Sequence, residues 1–257
     1  MTHDITTILI LFGVGLVAGT INVIAGGGSM ITLPVLILLG LPPNVANGTN
    51  RVVILVQNTG ATWSFHRLGL VSVPWLRLAL APALVGVAFG TWAAVHVGDL
   101  AFQRILALVL VLAAGWIFWH PTDSVADAKT FPPEGTEPLL LRLIFCGVGF
   151  YGVGFYGGFI QAGLGFITLA VTSSYGLDLI RSNAVKVSLV LMFTPLALAI
   201  FAYNGRVDWA TGFLLAAGTF VGALVGVRLQ VLKGERWVRG VLTVVVVAFA
   251  VRLLIGG

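Results

Sequence analysis

The chain has 257 residues, of which 58% are hydrophobic and only 9% charged; its formal net charge is +5 and its mean hydropathy +1.05. A soluble globular domain carries roughly 25% charged residues because water must meet its surface, so this composition argues against a water-covered domain and for a surface facing lipid. The basic residues are dispersed between apolar runs and form no stripe, which argues against nucleic acid as a partner.

A helix that crosses a bilayer needs about 20 mostly apolar residues. In hydrocarbon the backbone must satisfy itself, so apolar spans of that size are expected to be helical. The first, Ile5–Ala25, is longer than a signal-peptide core and follows His3 and Asp4 rather than a basic start, so it is read as retained. Gly26-Gly27-Gly28-Ser29 interrupts the run before a short apolar segment, Met30–Leu39. Val45–Phe65 carries Asn47, Thr49, Asn50 and Arg51 near its start, with Gln57 and Asn58 deeper. Ser72–Val95 and Phe102–Trp119 complete the first half. A polar, Pro-rich stretch, Pro121–Pro138, reads as a linker.

The second half opens with Leu139–Ile160. Its Gly147-x-Gly149-x-x-Gly152 spells a dinucleotide fingerprint but lacks the strand–turn–helix context that gives it meaning. Cys146 stands alone, so no internal disulfide or cysteine-based metal cluster is expected. Ala162-Gly163-Leu164-Gly165 then precedes the second short segment, Phe166–Tyr175. Arg181, Asn183, Lys186, Ser188 and Thr194 accompany Val185–Tyr203, and Trp209–Val231 and Val238–Leu254 close the chain.

Shifted by 136 positions, the halves align without a gap. Ile31-Thr32-Leu33 falls on Ile167-Thr168-Leu169, Asn47 on Asn183, Phe65 on Phe201 and Gly69 on Gly205. Gly86, Gly90 and Gly98 fall on Gly222, Gly226 and Gly234. Leu, Val and Ala coincide by composition; a matched set of glycines and an asparagine does not. The fold expected is therefore all-α and polytopic, with two inverted-topology repeats of five hydrophobic segments each, the short second segment of each half crossing or re-entering. Residues 1–120 form membrane repeat 1, 121–138 a cytoplasmic linker and 139–257 membrane repeat 2. If every segment crosses, ten basic residues fall on one side (Arg67, Arg77, Lys129, Arg142, Arg181, Lys186, Arg228, Lys233, Arg236, Arg239) and four on the other (Arg51, Arg104, Arg206, Arg252). The richer side is expected to be cytoplasmic. Trp63, Trp75, Trp92, Trp119, Trp209 and Trp237 sit near segment ends, at headgroup level.

Broken segments at matching places in two halves are the best sequence pointer to a transporter's binding site. A short helix starting at Ser29 or Gly165 would turn N–H groups and a positive dipole end toward any enclosed chamber. Arg51 and Lys186, one register apart in the alignment, are candidates to neutralise an anion, and Asn47 and Asn183 lie beside them. A simple turn at the glycines and snorkelling of the two cations are the plainer alternatives. Gly86-x-x-x-Gly90 and Gly222-x-x-x-Gly226 read as sites of close helix packing. His66, His96 and His120 show no metal-ligand spacing, and no carboxylate occupies the middle of a long segment, so no proton relay is evident.

At these residues the sequence resembles a known family. The glycine break, the short helix ending Leu39-Gly40-Leu41-Pro42-Pro43 and the run Ala46-Asn47-Gly48-Thr49-Asn50 resemble the TauE/SafE sulfite exporter-like permeases, also called toluene sulfonate uptake permeases. Gly163–Leu169, Tyr175-Gly176-Leu177 and Ser182-Asn183-Ala184 look like the repeated copy, with Gln161-Ala162 departing from a full glycine cluster. The resemblance implies a multi-pass permease of the plasma (inner) membrane for sulfite or organosulfonates, with no cofactor, no metal and no enzymatic activity. The substrate-binding set expected is Gly27, Gly28, Ser29, Asn47, Thr49, Asn50, Arg51, Gln57, Gly163, Gly165, Asn183 and Lys186. An anion channel shares every site feature. A membrane-embedded enzyme would need a nucleophile–base or metal constellation, and a scaffold protein would leave paired buried cations unexplained.

Overall fold

A computed structural model describes residues 5–119, 139–174 and 177–255 of the chain; the expected linker lies outside them. Every regular element among the described residues is a helix: α1 (Ile5–Ala25), α2 (Ser29–Leu38), α3 (Pro43–Arg67), α4 (Val73–His96), α5 (Asp99–Trp119), α6 (Leu139–Phe159), α7 (Leu164–Ser174), α8 (Leu179–Tyr203) and α9 (Trp209–Ile255). Four of them are long and apolar enough to span a bilayer: α1, α4, α8 and the Trp209–Lys233 portion of α9. Their outward faces carry bare Ile5, Leu9, Phe89, Trp92, Phe213 and Leu232, side chains that only lipid would cover without cost. In contrast, α3 is 25 residues long but too polar to qualify, and its Asn47, Asn50, Arg51 and Asn58 are buried inside the bundle.

The helix boundaries repeat with the 136-residue shift. Pro43 and Leu179 start α3 and α8, and Arg67 and Tyr203 end them. Both helices close in the same way. Gly69 and Gly205 adopt left-handed φ of +68° and +66°, and the next residue's N–H reaches back to Phe65 and Phe201 respectively.

One expected turn is missing. The ninth and tenth apolar segments lie on a single helix, α9, 47 residues long, or about 70 Å at 1.5 Å per residue. The matching point of the first half does break, at Val97-Gly98. There Asn44 pins the corner, its backbone N–H donating to Asp99 Oδ1 (3.0 Å) and its Nδ2 to the Val97 carbonyl (2.7 Å). The residue matching Asn44 is Ile180, whose side chain has no donor to offer a freed carbonyl. Helix then continues through Gly234.

The halves interlock crosswise, α1 lying along α9 and α4 along α6. Glycines set these contacts: a Cβ on Gly218 would lie 2.2 Å from the Phe12 carbonyl oxygen, and one on Gly90 2.0 Å from that of Phe155. The expected close approach at Gly86, Gly90, Gly222 and Gly226 is thus present. Contacts also give direction. Phe12, Leu16 and Thr20 meet Gly218, Gly222 and Gly226 in ascending order, so α1 and α9 run in the same sense. Ala83 and Val87 meet Gly154 and Gly158, so α4 and α6 do too. Gly48 meets Arg206 and Gly60 meets Phe220, aligning α3 with α9. The start of α3 touches the end of α4, and a short connection joins their other ends, so those two are antiparallel. It follows that α1 runs opposite to its counterpart α6.

Candidate functional site

Both chain breaks lie buried at the centre of the bundle. Gly26 turns with φ +80°, Gln161 and Gly163 with +63° and +73°. Gly26 and Gly165 stand back to back: a Cβ on either would come within 2.2 Å of the other's Cα. The interruptions that sequence places 139 positions apart are in contact in space.

Ending a helix inside a membrane leaves its last carbonyls unpaired and its negative dipole end exposed. The structure meets that demand twice, each time from the opposite half. At the end of α1, Lys186 Nζ donates to the carbonyls of Asn22 (3.0 Å) and Val23 (3.1 Å) and to Asn183 Oδ1 (2.6 Å). Asn183 Nδ2 caps Ile24 (3.1 Å) and reaches Gln230 Oε1 (3.0 Å). At the end of α6, the Arg51 guanidinium donates to the carbonyls of Gly157 and Gly158, to Gln161 Oε1 and to Asn47 Oδ1. Asn47 Nδ2 caps Phe159 (2.8 Å). The Arg51 guanidinium also lies 5.3 Å from the centre of the Phe201 ring, within cation–π range. In the second break, the Tyr156 hydroxyl ties down the Ala162 carbonyl.

Beside the touching glycines is a cavity of about 20 Å³, lined by Asn22, Ser29, Asn58, Gln161 and Lys186 with Ile54, Leu164 and Val190. A volume of 10–15 Å³ holds one water, so this chamber admits water and no sulfite-sized ion in the packing observed. Of the residues singled out from sequence, Ser29, Gly165 and Lys186 line it. Gly27 and Gly28 lie in the buried break, where the Gly28 N–H is taken by Asn22 Oδ1 (3.2 Å) and the Gly27 carbonyl accepts from Met30. Gly163 supplies the second turn. Asn50 faces α2, accepting from Thr32 Oγ1 (2.7 Å) and donating to Ser29 Oγ (3.2 Å). Thr49 faces away and accepts the Asp208 N–H (2.9 Å), holding the start of α9. Gln57 is buried with its Nε2 unpaired, outside the cavity lining. Asn47, Asn183 and Arg51 act on helix ends instead of facing the chamber.

Asn22 was not among the residues that sequence singled out, although its side chain and its carbonyl both hold the first break. A helix-ending asparagine four residues before a glycine cluster was the available signal. Asn58 and Gln161 drew notice for polarity and for departure from a glycine pattern, and not as chamber walls.

A bundle with a lipid-compatible perimeter and two buried helix breaks meeting beside a lysine has the architecture of a membrane transporter. Residues 11–253 match the family described as "Sulfite exporter TauE/SafE", and the chain belongs to that family. It is 32% identical over 252 residues to the "Probable membrane transporter protein ORF9" of Sinorhizobium sp, covering 95% of this chain and 91% of the relative. It is 31% identical to a "Probable membrane transporter protein" of Haemophilus influenzae, covering 93% and 91%, and 30% identical to the "Probable membrane transporter protein YfcA" of Escherichia coli K12, covering 95% and 88%. No solved structure matches the chain. The protein is an integral membrane transporter of the TauE/SafE family.

Proposed function

We propose that the chain carries small sulfur-containing anions, sulfite or organosulfonates, across the plasma membrane, binding them in the central chamber while access alternates between the two sides. The observation that carries this reading is the meeting of Gly26 and Gly165 beside the Lys186 ammonium, which puts a cation among backbone turns inside a greasy bundle. An intramembrane ionisable residue that faces a cavity marks a substrate path by default. Lys186 supplies charge, Ser29 and Asn58 hydrogen bonds, and the N–H groups around Gly163 and Gly165 further donors. Arg51 contributes by fixing the end of α6.

Alternating access is supported by two features. Helices α1 and α6 run in opposite senses, as inverted repeats require. The chamber, at about 20 Å³, is too small for the ion, so the halves must part before anything enters. That narrowness also favours a carrier over an open channel. The partners in this reading are a small anion and the bilayer, without nucleic acid or cofactor.

Uptake of labelled sulfite into proteoliposomes, with and without an imposed proton gradient, tests the proposal. Accumulation above the external concentration is the expected result. Flux that only dissipates a gradient would overturn coupled transport and leave a passive permease or channel, and flux no greater than in empty vesicles would remove the substrate class.

A further inference from the structure

The polar residues of α3 fall on distinct faces with different fates. At about 100° per residue, positions 44, 47, 51, 58 and 62 lie within about 60° of one another and extend about 27 Å along the axis, nearly the depth of the hydrocarbon core. Asn44, Asn47, Arg51 and Asn58 are almost wholly buried. Along this face Asn44 Oδ1, Arg51 Nε, Asn58 Oδ1 and Thr62 Oγ1 are enclosed without a hydrogen-bond partner. Of the polar residues on other faces, Thr49 is taken by Asp208 and Asn50 by α2, while Gln57 Nε2 stays unpaired on its own. Buried polar groups are ordinarily paired, so successive exceptions along one face need an explanation. A hydrated anion moving along the face supplies one: Arg51 Nε and Thr62 Oγ1 can donate to the ion, and its hydration shell can donate to the two amide oxygens.

The matching face of α8 does not share the pattern. It reads Ile180, Asn183, Val187, Thr194 and Leu198, and its polar members are satisfied: Asn183 by Ile24 and Gln230, Thr194 by the Val190 carbonyl. The α3 face thus keeps unpaired polar atoms at Asn44, Arg51, Asn58 and Thr62, with Asn47 paired between them, whereas the matching α8 face keeps none among the described residues. Arg51 interrupts the α3 face. Its fork draws Gly157, Gly158 and Gln161 of the α6 end onto the face between Asn47 and Asn58, while the chamber lies on the Asn58 side and does not include Arg51.

We propose that the α3 face bearing Asn44, Asn47, Arg51, Asn58 and Thr62 lines the route by which anions cross, and that Arg51, held against the end of α6, is the closed gate on it. This rests on the transport reading above and adds its path. When Arg51 releases the α6 carbonyls, Asn47 joins Asn58 on one polar surface. When it holds them, Asn47 is cut off.

Thiol accessibility tests the assignment. In a Cys146→Ser parent reconstituted in liposomes, single cysteines replace Asn47, Asn58 and Thr62, with Thr59→Cys on the exposed perimeter of α3 as reference. The probe is 2-sulfonatoethyl methanethiosulfonate, an impermeant organosulfonate that converts a thiolate to a mixed disulfide and releases methanesulfinate. Cysteines at 58 and 62 should react at least about tenfold faster than at 59, because a lipid-facing thiol seldom ionises. Cysteine at 47 should react slowly beside Arg51 and about tenfold faster beside Arg51→Lys, which keeps the charge but cannot grip several acceptors with a planar fork. Equal rates at 58, 59 and 62 would place the route elsewhere. A rate at 47 unmoved by Arg51→Lys would remove the gate. Methanesulfonate uptake by the Cys146→Ser parent separates the two proposals. The labelling pattern without uptake keeps the route and removes the substrate class; uptake without the pattern does the reverse.

Discussion

Arg51 and Lys186 occupy nearly matching turns of α3 and α8 and perform the same structural task, each capping a helix that the other half breaks. They differ in what remains after that task. The guanidinium spreads over four acceptors and is sealed from the chamber, whereas the ammonium meets three and still borders it. The comparison teaches that the duplicated requirement is a capped carbonyl end and not a particular residue. Once Arg51 meets it one register later than Lys186 does, the two halves are free to divide closing from binding.

Substitution at the meeting point of the breaks should do most damage to both halves. Gly26→Ala brings a Cβ to 2.2 Å from Gly165 and imposes left-handed strain at φ +80°, together about 2–5 kcal/mol. Gly165→Ala meets the same clash without that strain, so its loss should be smaller. Thermal melts of detergent-solubilised protein would show it, and equal melting temperatures for wild type and Gly26→Ala would break the picture of touching turns.

Next in size is Lys186→Met. Uptake should fall about a hundredfold, equivalent to roughly 2.7 kcal/mol of lost binding and capping. Lys186→Arg should recover folding and only part of the transport, because the larger fork competes for the space of the passenger. Full transport by the arginine variant would erase the distinction between the two cations.

Asn44→Ile gives the first half the residue that its counterpart carries. Loss of the Nδ2 bond to the Val97 carbonyl should cost about 1 kcal/mol, read as a lower melting temperature with faster hydrogen exchange at the α4–α5 corner. An unchanged corner would mean that Asn44 does not explain why α4 stops and α9 continues. Asp178→Ala removes the carboxylate that accepts from the N–H groups of Ile180 and Arg181 and should cost about 1 kcal/mol. Pro42 at the matching place makes no side-chain cap, so Pro42→Ala should shift stability less; the reverse ranking would count against the capping account.

Much of this was legible in the sequence because hydrophobic length and glycine placement speak directly to membrane geometry. The helix spans, the position of both breaks and the pairing of Asn47 with Asn183 all followed from run length and a single shift. The partner of each cation did not. A lysine among apolar residues reads as a charge for a ligand, and only the fold shows that Asn22, Val23 and Ile24 end a helix beneath it. The continuity of α9 was hidden for a related reason: Lys233-Gly234-Glu235-Arg236 looks like a loop by polarity, and the residue that decides the matter, Ile180 in place of an asparagine, lies on another helix.

The crossed caps bear on how the chain is made. The carbonyl of Val23 is held by an ammonium 163 residues further along. At a ribosomal rate of about 5–20 residues per second, α1 waits about 10–30 s for that donor. During that interval the nascent first half carries an open helix end, which only synthesis of the second half can close.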